Sequence, residues 1–348
     1  MIFPVPISCE AAQSSNPDSL LCDTEAIGPF LDTIRHSRCG RLNLNHRQKV
    51  LCVRAPLIPR TKRADSNPKR VEGANFSVCT TNKTLRLFMA FRSTQEYFSE
   101  IAGGYRDLRT TDPEPILHIA KRLRGISPVR AADVGCGDGR YDLKLFQHLG
   151  HKIEQLYCVD LTQRMLEQVK DYLARHRIRY FEVVRSVTPH LPFPPEHLNC
   201  IFSFNSIHHF DVSRFLREVS RILEQGGRLF VYTRFRSQNA RNIWGKYFPR
   251  FCEKETRLYE FRELERKVGM IPTLKIEHIQ FFTYQRISTL RRLLELARHR
   301  HYSTFCKYSD IEFRACLLGF DRNVKNDFND LRNVRWTDEN VLLTIRKE

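Results

Sequence analysis

Residues 132–146, ADVGCGDGRYDLKLF, join a short apolar run to an amphipathic one through glycines at 135, 137 and 139. A strand-turn-helix with glycine at alternate positions brings backbone amides close to a bound ligand. It commits the chain to an open α/β sheet, in which ligands lie at the carboxyl ends of the strands. A triphosphate loop needs Lys and then Ser or Thr after its last glycine. Here Arg140 and Tyr141 follow Gly139, which removes that reading. The dinucleotide fingerprint needs a glycine at position 140, so its spacing fails as well. Asp133, two residues before the first glycine, is unhelpful beside a pyrophosphate and suits a ligand with an ammonium group. It serves equally as an acceptor for the amides of the turn.

The surrounding pattern alternates helix and strand. Helices are expected at 113–125, 140–149, 162–176 and 212–223, with strands at 130–135, 153–160, 179–184, 200–205 and 228–233. Short apolar runs separated by helical crossovers describe a doubly wound, mostly parallel sheet. Beyond it a helix at about 258–268 precedes a strand at 274–284. Helices at 288–302 and 310–320 follow, the second opened by a Ser309/Glu312 capping box. A last strand is expected at 340–347. The fold class is therefore α/β, with a seven-stranded Rossmann-like sheet, an antiparallel last strand, and a helical insertion at 285–339 before it.

Asp160 closes the second strand. An acid there accepts hydrogen bonds from both hydroxyls of a ribose. It also stands close to the start of helix 162–176, although Thr162 is the better-placed cap.

Residues 1–88 differ in style, with 7 of the 16 prolines, 5 of the 11 cysteines and no sustained periodicity. The expectation is a poorly ordered extension and a folded domain over 89–348. Ser93 and Glu96 would cap its first helix, and Met89 is a candidate start. Acids at 10, 18, 23, 25 and 32 all precede the first basic residue, Arg35, which fits a mitochondrial leader poorly. An odd cysteine count without CxxC or zinc spacing suggests free thiols in a reducing, cytoplasmic setting and no metal site. No apolar run approaches the roughly 20 residues that span a bilayer. The 57 Lys and Arg against 39 Asp and Glu give +18, which suits polyanionic partners or simply a solvated surface.

DVGCGDGR, CVDLTQRML, LPFPPEHLNCIFSFNSIHHF and ILEQGGRLFVYT occur in that order at strand ends. Together they resemble the class I S-adenosylmethionine-dependent methyltransferases, over about residues 95–348. The resemblance implies S-adenosylmethionine as cofactor. It implies a binding set of Asp133, Gly135, Cys136, Gly137, Gly139, Asp160, Leu161, Met165, Val187, Thr188 and Asn205. Asp160 falls at the ribose and Met165 near the adenine face. Val187 stands where the family often has an acid, which leaves adenine to backbone amides or Thr188.

Methyl transfer from a sulfonium is an in-line displacement, and a base is needed only if the acceptor must lose a proton. Asn205, His208 and His209, after the fourth strand, are the catalytic candidates; packing or capping is the alternative for each. Tyr105 and Arg109 suit a lid hinged at Gly103 and Gly104, or else a plain connector. Arg234 and Arg236 can meet an acidic acceptor or sit in solvent. Three functions follow: methylation of a small molecule under the insertion, methylation of a carboxymethylated wobble uridine in tRNA, or a non-catalytic scaffold. The small molecule is preferred over RNA, since no RNA-binding module is visible. No membrane partner is expected, and the oligomeric state is left open.

Overall fold

The computed structural model describes residues 95–348. The expectations for residues 1–88, for Met89 and for a Ser93 cap lie outside the described residues. Seven strands run in chain order: β1 Val129–Val134, β2 Ile153–Asp160, β3 Phe181–Arg185, β4 Leu198–Phe204, β5 Leu223–Thr233, β6 Leu274–Ser288 and β7 Val334–Lys347. A first helix is described over 95–101 (α1). The crossover helices are α2 Glu114–Arg122, α3 Arg140–Leu149, α4 Gln163–Arg175 and α5 Val212–Ile222. The later ones are α6 Arg236–Arg241, α7 Ile243–Tyr247, α8 Phe251–Lys254, α9 Phe261–Gly269, α10 Leu290–Arg298 and α11 Asp310–Asp327.

The sheet order is β3-β2-β1-β4-β5-β7-β6, with β7 antiparallel to both neighbours. The chain winds outward from β1 through β2 and β3, then returns to β4 on the other side. The carboxyl ends of β1 and β4 therefore flank the switch point where such sheets bind ligands. Side chains alternate between two cores, as a strand's period of two requires. Cys200, Phe202 and Phe204 of β4 face α2, α3 and α4, while Ile201 faces α5 and α9; Leu198, beyond a register shift against β5, joins the second core. The central strands are apolar on both sides because helices cover both.

The largest departure from the sequence pattern lies in the cap. Residues 236–254, without an assignment in the sequence pattern, form α6, α7 and α8. Ile243, Trp244, Phe248 and Phe251 pack with Leu293, Phe305 and Phe320 into a separate core. The cap is thus built from two stretches of chain. The insertion is also shorter than 285–339: β6 and β7 stay paired as far as Ser288 and Val334. The residues of the expected EQGG turn lie inside β5, at a register shift against β4.

Ser309 accepts from the Glu312 amide, which caps α11 as expected. The reciprocal arm of a capping box is replaced, because the Glu312 carboxylate accepts from Arg250 and from Lys254 of the other cap segment. Ser309→Ala is expected to cost about 1 kcal/mol. Thermal denaturation should read this as a Tm lower by roughly 2–4 °C.

Candidate active site

The glycine turn forms one wall of a cavity of about 590 Å³ at the carboxyl ends of β1, β2 and β4. Gly135, Cys136 and Gly137 line it. Gly135 (φ +77) donates its amide to the Val159 carbonyl at 2.8 Å, which ties the turn to β2. A Cβ on Gly137 would meet only a Tyr105 ring carbon at 3.9 Å, so the turn presents bare backbone to the cavity. Gly139 stands back from the wall as the left-handed N-cap of α3.

Asp160 reaches the cavity from the end of β2. Its Oδ2 accepts from the Gly137 amide at 3.0 Å and its Oδ1 from the Thr162 amide at 2.8 Å. Thr162 occupies the N-cap position of α4 without making a side-chain cap bond. Burial raises the Asp160 carboxyl, and these amide donors oppose the rise. A carboxylate has about four acceptor sites, so each oxygen keeps one free. Leu161, Met165, Val187 and Thr188 complete this side of the cavity.

Asp133 does not reach the wall. It is buried beneath the turn and pairs with Asp142, also fully buried. Burial and the neighbouring acid hold Asp133 well above the usual carboxylate range, and burial raises Asp142 to about 7. An acid raised on folding releases its proton less readily in the native than in the unfolded chain. The pair's contribution to stability is therefore greatest below the unfolded carboxylate pKa and declines as pH rises toward 7. Asp142→Asn removes one titrating group and keeps an amide donor for Asp133. The variant should lose less Tm than the parent between pH 5 and pH 8, as read by thermal melts across that range. An equal loss in both would remove this account of the pair.

Asn205 follows β4 in the left-handed region (φ +54), a conformation asparagine tolerates better than most residues. Its amide donates to the Tyr232 carbonyl at 2.7 Å. His208 and His209 follow in a short 3-10 turn, Ile207–His209. Burial lowers both imidazoles well below the usual histidine range, and the nearby Arg257 adds to the effect on each. Both are therefore neutral near pH 7. Arg257 Nη1 lies 3.3 Å from His209 Nδ1. A guanidinium can only donate, so His209 Nδ1 accepts and the ring proton sits on Nε2. His209 thus presents a donor at Nε2. Arg257 is itself held by Glu255, which accepts at its Nε (2.9 Å) and Nη2, and by Ser303 Oγ at 3.0 Å.

A second cavity, of about 160 Å³, adjoins the first under the cap. Asn205, His208, His209 and Tyr105 line both. Arg109 and Arg234 line the second alone, with Tyr302 and Trp244 from the cap. The segment carrying Tyr105 and Arg109 is fastened on two sides. Tyr97 Oη donates to the Arg300 carbonyl at 2.7 Å, and Arg106 donates to the Asp138 carbonyl at 2.7 Å. Gly103 and Gly104, the expected hinge, lie in a 3-10 turn with open space around their α-carbons.

Of the expected site residues, the two cavities gather Gly135, Cys136, Gly137, Asp160, Leu161, Met165, Val187, Thr188, Asn205, His208, His209, Tyr105, Arg109 and Arg234. Asp133, Gly139 and Arg236 stand outside; Arg236 pairs with Glu263 at 3.0 Å. Sequence reasoning missed Arg257, Glu255 and Tyr302. Their signal was the aromatic-rich run IWGKYFPRF (243–251), whose burial makes the chain after β5 part of the cap.

Residues 132–231 match the family model described as "Methyltransferase domain". The chain is 27% identical over 136 residues to "Uncharacterized methyltransferase YcgJ" of Bacillus subtilis, covering 38% of this chain and 52% of that protein. It is 29% identical over 168 residues to the Macaca fascicularis "tRNA (carboxymethyluridine(34)-5-O)-methyltransferase ALKBH8", covering 45% and 23%. The chain thus spans about a quarter to a half of the length of these relatives. The crystal structure of B. subtilis YcgJ superposes with a TM-score of 0.47 at 16% identity, covering 68% of this chain and 98% of that one. Residues 132–231 thus match a methyltransferase domain, and the relatives named above are described as methyltransferases.

Proposed function

We propose that the protein transfers a methyl group from S-adenosylmethionine to a small-molecule acceptor. The supporting observation is a pair of adjoining cavities that share Asn205, His208 and His209. The larger one fits the nucleoside. Asp160 offers one free acceptor site per oxygen for the ribose hydroxyls, Met165 and Val187 supply an apolar slot for the base, and Gly137 leaves room for close backbone approach. When bound, S-adenosylmethionine supplies a methyl group already activated on a sulfonium.

The chain's own contribution is alignment and exclusion of water. Tyr105 and Phe98 line both cavities and contribute to excluding water from them. Asn205 is fixed by its backbone conformation at their junction. His209 presents its Nε2 proton as a donor, while the neutral His208 retains an unpartnered, buried Nδ1 among the described residues. The His208 imidazole, which lines both cavities, is the group placed to take a proton from an acceptor that must lose one.

Calorimetry with S-adenosylhomocysteine tests the cofactor reading, and no heat of binding would favour a scaffold. A labelled-donor screen against metabolite pools and bulk tRNA tests the acceptor. The tRNA reading draws on the +18 charge and on the activity named for the ALKBH8 relative. Steeply salt-dependent binding to tRNA, with label entering tRNA, would replace the small-molecule reading.

A further inference from the structure

Among the groups around the smaller cavity, opposite charges pair off with one exception. Arg286 donates to both oxygens of Asp112 at 2.8 and 2.9 Å. Arg234 lies 3.7 Å from Asp338 and donates to Asn340 Oδ1 at 3.3 Å. Arg257 is satisfied by Glu255, and Arg140 lies 3.9 Å from Asp138. Arg109 has no carboxylate partner among the described residues. Its guanidinium lies over two aromatic rings, Tyr105 at 4.9 Å and Tyr302 at 4.6 Å. Stacking occupies the faces of a guanidinium and leaves its N–H edges, which lie in the plane, for a partner. Arg109 Nε and Arg234 Nη1 are both buried and unpartnered.

Two buried guanidinium N–H groups without acceptors, one on Arg109 and one on the otherwise paired Arg234, stand beside one cavity and are costly to fold unless a ligand satisfies them. We propose that the acceptor carries an oxyanion, a carboxylate or a phosphate, which is bound by Arg109 and Arg234 beneath the cap. The reading rests on the methyl-transfer assignment of the same site and narrows its substrate to small acids. Arg109 and Arg234 set specificity; neither takes part in the displacement. The lowered imidazole of His208 agrees with this arrangement, since Arg109 and Arg234 both contribute to its shift after burial and Arg257.

The size of the cavity limits the acid. About 160 Å³ is close to the cavity of roughly 150 Å³ that takes up benzene in a protein core. Benzoate, phenyl phosphate and benzamide are therefore suitable probes of one shape and different charge. The chain supplies its own reporter: it has two tryptophans, Trp244 and Trp336, and both line this cavity.

The test is a tryptophan-fluorescence titration of the full chain, saturated with S-adenosylhomocysteine, against each probe. The expected result is saturable binding of benzoate, phenyl phosphate or both, with benzamide at least tenfold weaker. Whichever anion binds better identifies the oxyanion. Arg109→Gln should weaken the anion at least tenfold and leave S-adenosylhomocysteine affinity within about twofold, because Arg109 does not line the larger cavity. Equal binding of benzamide, unchanged anion affinity in Arg109→Gln, or no saturable response to either anion would overturn the proposal. The comparison of benzoate with benzamide in the unaltered chain needs no variant to fold. Failure of S-adenosylhomocysteine to bind at all would be read separately, by calorimetry, as failure of the cofactor assignment.

Discussion

Asp160→Ala is expected to weaken S-adenosylhomocysteine binding about a hundredfold. Hydrogen bonds to a charged group contribute roughly 1.5–3 kcal/mol each. Two ribose hydroxyls on one half-buried carboxylate therefore come to about 3 kcal/mol after competition with water, and each 1.4 kcal/mol is tenfold. A second effect acts in the same direction. Asp160 also accepts from the Gly137 and Thr162 amides, so its loss frees the glycine turn from the start of α4. Asp160→Asn keeps one oxygen acceptor but turns an N–H₂ toward one of those donors, and should fall between parent and alanine variant. Calorimetric titration of the three proteins, each with a confirmed melting transition, measures the order. An alanine variant that binds as tightly as the parent would remove Asp160 from the ribose.

Much of this site was legible from the sequence because its chemistry is carried by short-range signals. The glycine turn, Asp160 at a strand end and Asn205-His208-His209 after the fourth strand are each fixed by their distance from an apolar run. Those runs became strands within a few residues of where the period placed them; β2 matches at both ends. Asp133 shows the limit of that logic. Its position beside the turn was readable, but whether it faced the ligand or the core depended on Asp142, nine residues on and inside α3. The side chain turned inward, toward another acid, and spacing alone does not reveal that choice.

The smaller cavity was less legible for a different reason. Arg257 acts on His209 and Arg109 stacks on Tyr302, contacts that join residues 48 and 193 positions apart. Neither pairing leaves a periodic trace. The aromatic run at 243–251 resembles any buried helical segment, and only its docking on Phe305 and Phe320 shows that it roofs a cavity. The insertion bounds erred because β6 and β7 continue past their apolar residues: Tyr284 through Ser288 pair with Val334 through Asp338, a stretch rich in polar side chains.

The second large effect concerns the turn itself. Gly135→Ala is expected to lower Tm by roughly 10 °C, from about 3 kcal/mol of destabilisation. One part is conformational: an L side chain at φ +77 costs roughly 1–2 kcal/mol. The other part is steric. The added Cβ would fall 2.5 Å from Ser206 Cβ and 2.7 Å from its Oγ. Ser206 cannot give way freely, because its hydroxyl donates to the Val134 carbonyl at 2.9 Å and shares a 2.8 Å hydrogen bond with Ser203. Overpacking of this kind costs about 1–3 kcal/mol. The two parts separate in a double-mutant cycle with Ser206→Gly, which deletes the atoms in the way. The double variant should be more stable than the sum of the single changes predicts, by the steric share, while the conformational share persists. Gly269→Ala, where a Cβ meets nothing within 4 Å and φ is ordinary, is the control and should move Tm by less than about 2 °C. Additive single effects would show that the strain lies in the backbone alone and that the close approach of Ser206 does not constrain the turn.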